Sequence, residues 1–340
     1  TDSVRNASQF LGEARTDSMV GARQNLGNQR ASRERKGYIL GMVLTLGSAA
    51  LWGSTYAVIK IDLLYYTAYD ISMFRAVFGS ASLLVYLAVA RKRLWVLPRD
   101  PKILVLLVCA SFLGATGFWT LLNLGVLFVD PDTASFLVAL YPLISIVFAA
   151  AFLEEKLTFA KAGGVMLGIL GTFIIVAFGE ETRFAGADPV IGEIFSLLAA
   201  FSWAGYMVVT KVLMGRKDKK TGLLLDAEYV TFTTFLIAII PTMLITASTG
   251  TLSDLLKTPI TGLVLNLYLG GFTSALAFVI FNIGMRLIGV SRAAVNQLLF
   301  PGVAILISYV LLGEIVNLIE AAGIALIVLG ILMAQLLSKG

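Results

Sequence analysis

Histidine is absent from this chain of 340 residues, and cysteine occurs once, as Cys109. Zinc, haem and iron–sulfur sites are built from several such side chains, so no metal or cofactor is expected, and an intrachain disulfide is ruled out. The H-E-x-x-H phrase of metalloproteases cannot be written without histidine, and neither a P-loop nor a G-x-S-x-G phrase occurs. An enzyme is therefore not expected. Charged residues are scarce as well, at 14% against 58% hydrophobic, where a soluble domain carries about 25% charged. That balance excludes an ordinary soluble protein.

What the chain does have is long apolar runs. Crossing a hydrocarbon core of about 30 Å takes roughly 20 helical residues. Such runs fall at 38–59, 70–90, 103–124, 132–153, 159–178, 190–211, 227–248, 262–283, 292–312 and 318–337. They are too long and too uniformly apolar for barrel strands, so the expected fold is an all-α membrane protein with ten transmembrane helices. Residues 1–36 are polar and Arg-bearing, with no apolar run fit for a secretory signal. They read as a disordered cytosolic tail, with Leu11, Met19 and Leu26 offering the alternative of a weakly amphipathic helix on the membrane.

The net charge of +5 invites a nucleic-acid reading, yet the basic residues alternate from loop to loop instead of sharing one face. Arg91, Lys92, Arg93, Arg99 and Lys102 lie between spans two and three, and Arg216, Lys217, Lys219 and Lys220 between six and seven. The intervening loops carry Asp62, Asp130 and Asp188. By the positive-inside rule both termini are cytoplasmic, in a plasma or inner membrane. Anionic lipid accounts for the basic loops, so membrane lipid is an expected partner and nucleic acid is not.

One phrase is written twice. "ALYPLISIVFAAAFLEEKLTFAKAGGVMLGILG" at 139–171 aligns without a gap on "LLFPGVAILISYVLLGEIVNLIEAAGIALIVLG" at 298–330, a spacing of 159 residues. Pro142 meets Pro301, Glu155 meets Glu314, Gly164 meets Gly323 and Gly171 meets Gly330, and the register reaches back to Asn123 with Asn282. A second register, spaced by 151, pairs Gly41 with Gly192, Trp52 with Trp203 and Lys60 with Lys211. The chain thus divides into the tail, a first repeat at 37–188 and a second at 189–340. With an odd number of spans in each, the second copy enters the membrane upside down. Inverted repeats recur in secondary carriers, because two such halves can open to either side at similar energy.

The order of "ALWGSTYAVIK" at 50–60, "FRAVFGSASLLV" at 74–85 and the repeated "S-x-x-x-x-L-Y-P-L…E-K-L…G-x-x-L-G-I-L-G" phrase resembles the drug/metabolite transporter superfamily, in its EamA-type branch. The likeness covers residues 38–337 and implies a solute carrier for amino acids, other metabolites or drugs. Two relatives in that superfamily differ. Small multidrug exporters keep an acid in their first helix, and the first span here has neither Asp nor Glu. Sugar-phosphate carriers place Lys or Arg deep in the cavity, and the middle third of these spans has none.

Candidate substrate-binding residues are Trp52, Tyr56, Arg75, Trp119, Trp203, Tyr206, Asn296 and Gln297. Trp52 and Trp203 are repeat equivalents beyond the midplane toward opposite faces, suited to lining a cavity or to packing on lipid or another helix. Tyr56 and Tyr206 share their faces one turn on. Pro142 and Pro301, near the centres of spans four and nine, remove a backbone donor and free a carbonyl, which suits hinges around a midplane site. Asn296 and Gln297 should face the bundle interior, since an unpaired amide in lipid is costly. Asn123 and Asn282 read as helix-terminating residues before Gly125 and Gly284. Arg75 and Glu193, near the outer helix ends, read as snorkelling to water, with an outer gate pair as the alternative. The small residues of spans five and ten, with Gly164 and Gly168 as a G-x-x-x-G, read as a close packing face. Its partner is a helix of this chain or of a second copy, and the family likeness adds a homodimer through the fifth and tenth helices as an expectation.

With nothing charged in the middle of the spans, the expected site suits a small neutral or zwitterionic solute such as an amino acid. Lacking a central acid, the carrier is expected to be a facilitative exporter working by alternating access. A proton-coupled exporter, a lipid scramblase and a membrane scaffold are the alternatives.

Overall fold

The computed structural model describes residues 32–90, 96–129, 131–178, 189–249, 259–303 and 318–336. Among them all regular structure is helical, apart from one isolated antiparallel bridge between Lys217 and Leu224. The helices are α1 (Ser32–Asp62), α2 (Ala68–Val89), α3 (Pro101–Phe128), α4 (Pro131–Val138), α5 (Tyr141–Leu153) and α6 (Phe159–Phe178). They continue as α7 (Pro189–Leu213), α8 (Ala227–Ser248), α9 (Ile260–Ile288), α10 (Val290–Asn296) and α11 (Leu318–Leu336). Among the described residues, seven helices are long and apolar enough to cross a membrane, with 134–153 counted as one; α6 and α11 contribute shorter apolar stretches at Phe159–Ile175 and Ala321–Leu336. The predicted tail and part of the predicted span 292–312 lie outside the described residues.

Local chemistry explains the helix starts. Thr67 and Asp70 form a capping box at α2, each satisfying the other's backbone N–H. Asp100 caps α3 ahead of Pro101, and Asp226 caps α8 by accepting from the Tyr229 N–H at 2.8 Å. Glu155, one of the repeated residues, reaches across the chain to the start of α10. Its carboxylate accepts from the N–H groups of Val290 and Ser291 at 2.8 and 3.1 Å and from the Ser291 hydroxyl at 2.7 Å. A negative charge there is favoured by the helix dipole.

Two helices widen midway into π turns, at Phe112–Gly117 in α3 and Leu269–Leu276 in α9. Two others are interrupted. Between α4 and α5 the chain turns at Ala139 and Leu140, just before Pro142, where Leu140 N–H bonds to Leu137 O instead of continuing the helix. After α10 it turns at Gln297 and Leu298, just before Pro301. A proline ring and its missing donor favour such breaks.

Glycine faces set the closest helix contacts. A Cβ on Gly164 would overlap the carbonyl oxygen of Gly330, and one on Gly171 would meet that of Gly323. The partner of the fifth predicted span is therefore α11 of the same chain. A homodimer through α6 and α11 would have to use their outer faces, where Met166, Phe173, Leu329 and Leu332 are exposed.

Asn123 and Asn282 are not helix terminators. Both are fully buried within helices and tie neighbours together. Asn123 donates to Ala68 O at 3.1 Å and Ser72 Oγ at 2.9 Å, and Asn282 to Tyr206 Oη at 2.7 Å and Thr231 Oγ1 at 2.9 Å. A buried amide needs such partners, and the following glycines serve helix contact rather than chain reversal.

Candidate functional site

The interior holds an aromatic pocket. α1 contributes Trp52, Thr55 and Tyr56, α2 contributes Arg75, and α3 contributes Phe118 and Leu122. The two helix interruptions supply Val138 with Tyr141, and Phe300; α7 supplies Trp203.

Trp52 and Trp203 do not lie toward opposite faces as expected. Their rings meet edge to face with centroids 5.1 Å apart, and each packs on Phe278 and Phe281. The indole N–H of Trp52 donates to Thr273 O at 2.7 Å, in the π turn of α9. Tyr56 stacks on Phe300 at 5.6 Å, and Tyr206 stacks on the far side of Trp203 at 4.9 Å. These contacts lock the rings in place.

Arg75 does not snorkel. It is 1% exposed and lines the pocket. Its Nε donates to Ser274 Oγ at 3.0 Å, again in the π turn, and its guanidinium carbon lies 5.0 Å from the centroid of the Trp119 ring. Nη1 is buried without a hydrogen-bond partner. Glu193 is exposed on α7, so the alternative of an Arg75–Glu193 gate pair is not made either. The arrangement leaves a desolvated guanidinium, with Nη1 unpartnered, in the wall of the aromatic pocket. Such a group is held at a cost of several kcal/mol unless an anion comes to it, and a carboxylate is the group whose geometry matches guanidinium.

Of the predicted residues, Trp52, Tyr56, Arg75 and Trp203 line the pocket together. Trp119 stands behind Arg75 and Tyr206 behind Trp203. Asn296 and Gln297 are drawn off elsewhere. Asn296 donates to Thr45 Oγ1 and Gln297 to Thr45 O, both at 2.7 Å, while Gln335 donates to Asn296 Oδ1 at 2.7 Å. Tyr141 and Phe300 were missed. Each directly precedes a repeated proline, and they are equivalent at the spacing of 159, which is the signal that marks them.

A model of the EamA-like transporter family matches this chain twice, at residues 39–177 and 190–336. The chain belongs to that family. It is an integral membrane protein of the drug/metabolite transporter type. Among curated relatives, a "Probable terminal-alkyne amino-acid exporter" of Streptantibioticus cattleyicolor is 30% identical, over 86% of this chain and 91% of its own length. An uncharacterized transporter of Bacillus subtilis, YdfC, is 29% identical over 80% of this chain and 83% of its own. A crystal structure with 20% sequence identity superposes with a TM-score of 0.69, covering 88% of this chain and 99% of the other, and shows the fold to be shared.

Proposed function

We propose that this EamA-family protein is an alternating-access carrier that exports small zwitterionic metabolites such as amino acids. The observation that carries the reading is Arg75, a buried guanidinium with a spare donor in an aromatic pocket. It takes the solute's carboxylate, and the faces of Tyr56, Tyr141 and Trp203 take its ammonium. The substrate class of the Streptantibioticus relative, as its name gives it, supports the same choice.

Paired contacts support an inverted repeat of ten spans. At a spacing of 159, the contact of Gly164 with Gly330 and that of Gly171 with Gly323 exchange into each other. Gly125 against Ser196 matches Gly284 against Thr45, the glycines at the spacing of 159 and Thr45 with Ser196 at that of 151. The breaks before Pro142 and Pro301 are the hinges of the cycle, since both carry pocket residues.

The test is counterflow of labelled amino acids in proteoliposomes. Saturable exchange of neutral amino acids is expected, with the matching amines that lack a carboxylate excluded. Equal exchange of those amines, or preference for a phosphorylated solute, overturns the reading. Orientation has its own check, made after Cys109 is replaced. A cysteine at Leu64, a residue 78% exposed, should react with an impermeant thiol reagent applied to cells, and one at Lys217 should react only after permeabilisation. Labelling of position 217 in intact cells would reverse the topology.

A further inference from the structure

Asp62, expected in an outer loop, instead ends α1 with 0% exposure. Neither carboxylate oxygen has a hydrogen-bond partner. The N–H groups of Tyr65 and Tyr66 go to the backbone carbonyl of Asp62, not to its side chain. The side chain of Asn266, from α9, lies beside the carboxylate without reaching hydrogen-bond geometry. One N–H of that amide goes to Gly262 O at 3.1 Å, and its Oδ1 is a further buried acceptor with no partner. The hydroxyl of Tyr66 is buried and unpartnered too.

No cation balances this cluster among the described residues, and no ion pair reaches Asp62. Packed against this half of α1 are α3, α4 and α9. The facing stretch of α3, Phe118–Phe128, carries no titratable side chain. On α9 there is Tyr268, whose hydroxyl pairs with Ser54 Oγ at 2.6 Å, and α4 carries Asp132 in its first turn. On the chain around Asp62 itself stand Lys60, Tyr65 and Asp70, the last held by Thr67. A bare carboxylate in a dry site with surplus acceptors costs several kcal/mol. One proton removes the charge and turns a carboxylate oxygen into a donor.

We propose that Asp62 is a proton-binding site of the carrier, and that the end of the bundle holding it closes only with its carboxyl protonated. The proton comes from the aqueous phase on that side and returns to water when that end opens. Asp62 lies seven residues beyond Thr55, a pocket residue on the same buried face of α1, about 10 Å along the helix axis. Proton and solute therefore bind along one path. The facilitative expectation rested on the lack of a central acid, whereas Asp62 is a buried acid at the end of α1.

Two measurements test it, and only the first rests on the proposed function. In proteoliposomes showing amino-acid counterflow, wild-type exchange should fall about tenfold per pH unit on the alkaline side, as one obligatory proton requires. Asp62→Asn should exchange without that pH dependence, and Asp62→Glu should keep it with a displaced midpoint. Independently of any substrate, infrared difference spectra of the purified protein should show a protonated-carboxyl band that Asp62→Asn removes. The same pH profile in wild type and Asp62→Asn, or an unchanged band, overturns the proposal. Failure of every amino acid to exchange, with the band lost in Asp62→Asn, overturns the proposed substrate and leaves the proton site standing.

Discussion

Arg75→Gln should raise the half-saturating concentration for a zwitterionic amino acid in counterflow by about 10- to 150-fold, and exchange at low solute should nearly vanish. The magnitude follows from the chemistry. A hydrogen bond to a charged group contributes about 1.5–3 kcal/mol net, and each 1.4 kcal/mol is tenfold in affinity. Glutamine keeps a donor for Ser274 Oγ, which Arg75 Nε holds at 3.0 Å, so the loss falls on the pocket. Arg75→Lys should recover part of the affinity, because ammonium retains the charge and loses the planar fork. Thermal stability should stay level or rise in Arg75→Gln, since an unpaired buried cation is removed. Wild-type affinity in Arg75→Gln would take the carboxylate away from this residue and sink the assignment.

The second large effect is structural. Gly164→Val should destabilise the purified protein by about 1–3 kcal/mol or more, read as a sharply lower melting temperature, and Gly330→Val should do the same. The reason lies in what holds helices together in lipid. Leu on Leu gains little where the solvent is itself hydrocarbon, so close backbone approach supplies the attraction. Here a Cβ on Gly164 overlaps both Gly330 O and the Ala334 side chain, and α6 and α11 must separate along their length. Nearby, Met166 is 56% exposed, and Met166→Val should leave the stability within about 0.5 kcal/mol of wild type and the melting temperature nearly unchanged. A Gly164→Val protein as stable as the wild type would mean that the two helices do not meet through this face.

Several site residues were legible beforehand because the repeat marked them. Trp52 with Trp203 stood out as aromatic matches in otherwise interchangeable apolar text, and Pro142 with Pro301 as the places where a helix must break. Arg75 was named but misread. Seven residues into α2, its distance from the helix end looks short enough to snorkel, and depth along one helix is all that a linear pattern measures. The amides failed differently. Asn296 and Gln297 had to face inward, and they do, but inward has many directions. Thr45, Ser48 and Gln335 claimed them before the pocket could.

The sequence by itself determined that the chain is helical, lives in lipid, is written twice and belongs among EamA-type carriers. Composition, run length and spacing are properties of the chain read in one dimension, and the cost of exposing backbone polar groups to hydrocarbon leaves helices as the one solution for such runs. Tertiary structure alone decided which polar groups are spent on holding helices together and which are left over. The amide N–H groups of Asn123 and Asn282 are taken up by helices 51 to 76 residues away in the chain. Arg75 Nη1 and both carboxylate oxygens of Asp62 are left over, and no spacing rule reports that. Satisfaction of a buried polar group depends on what the opposite helix presents at that depth, which is settled only when the helices pack.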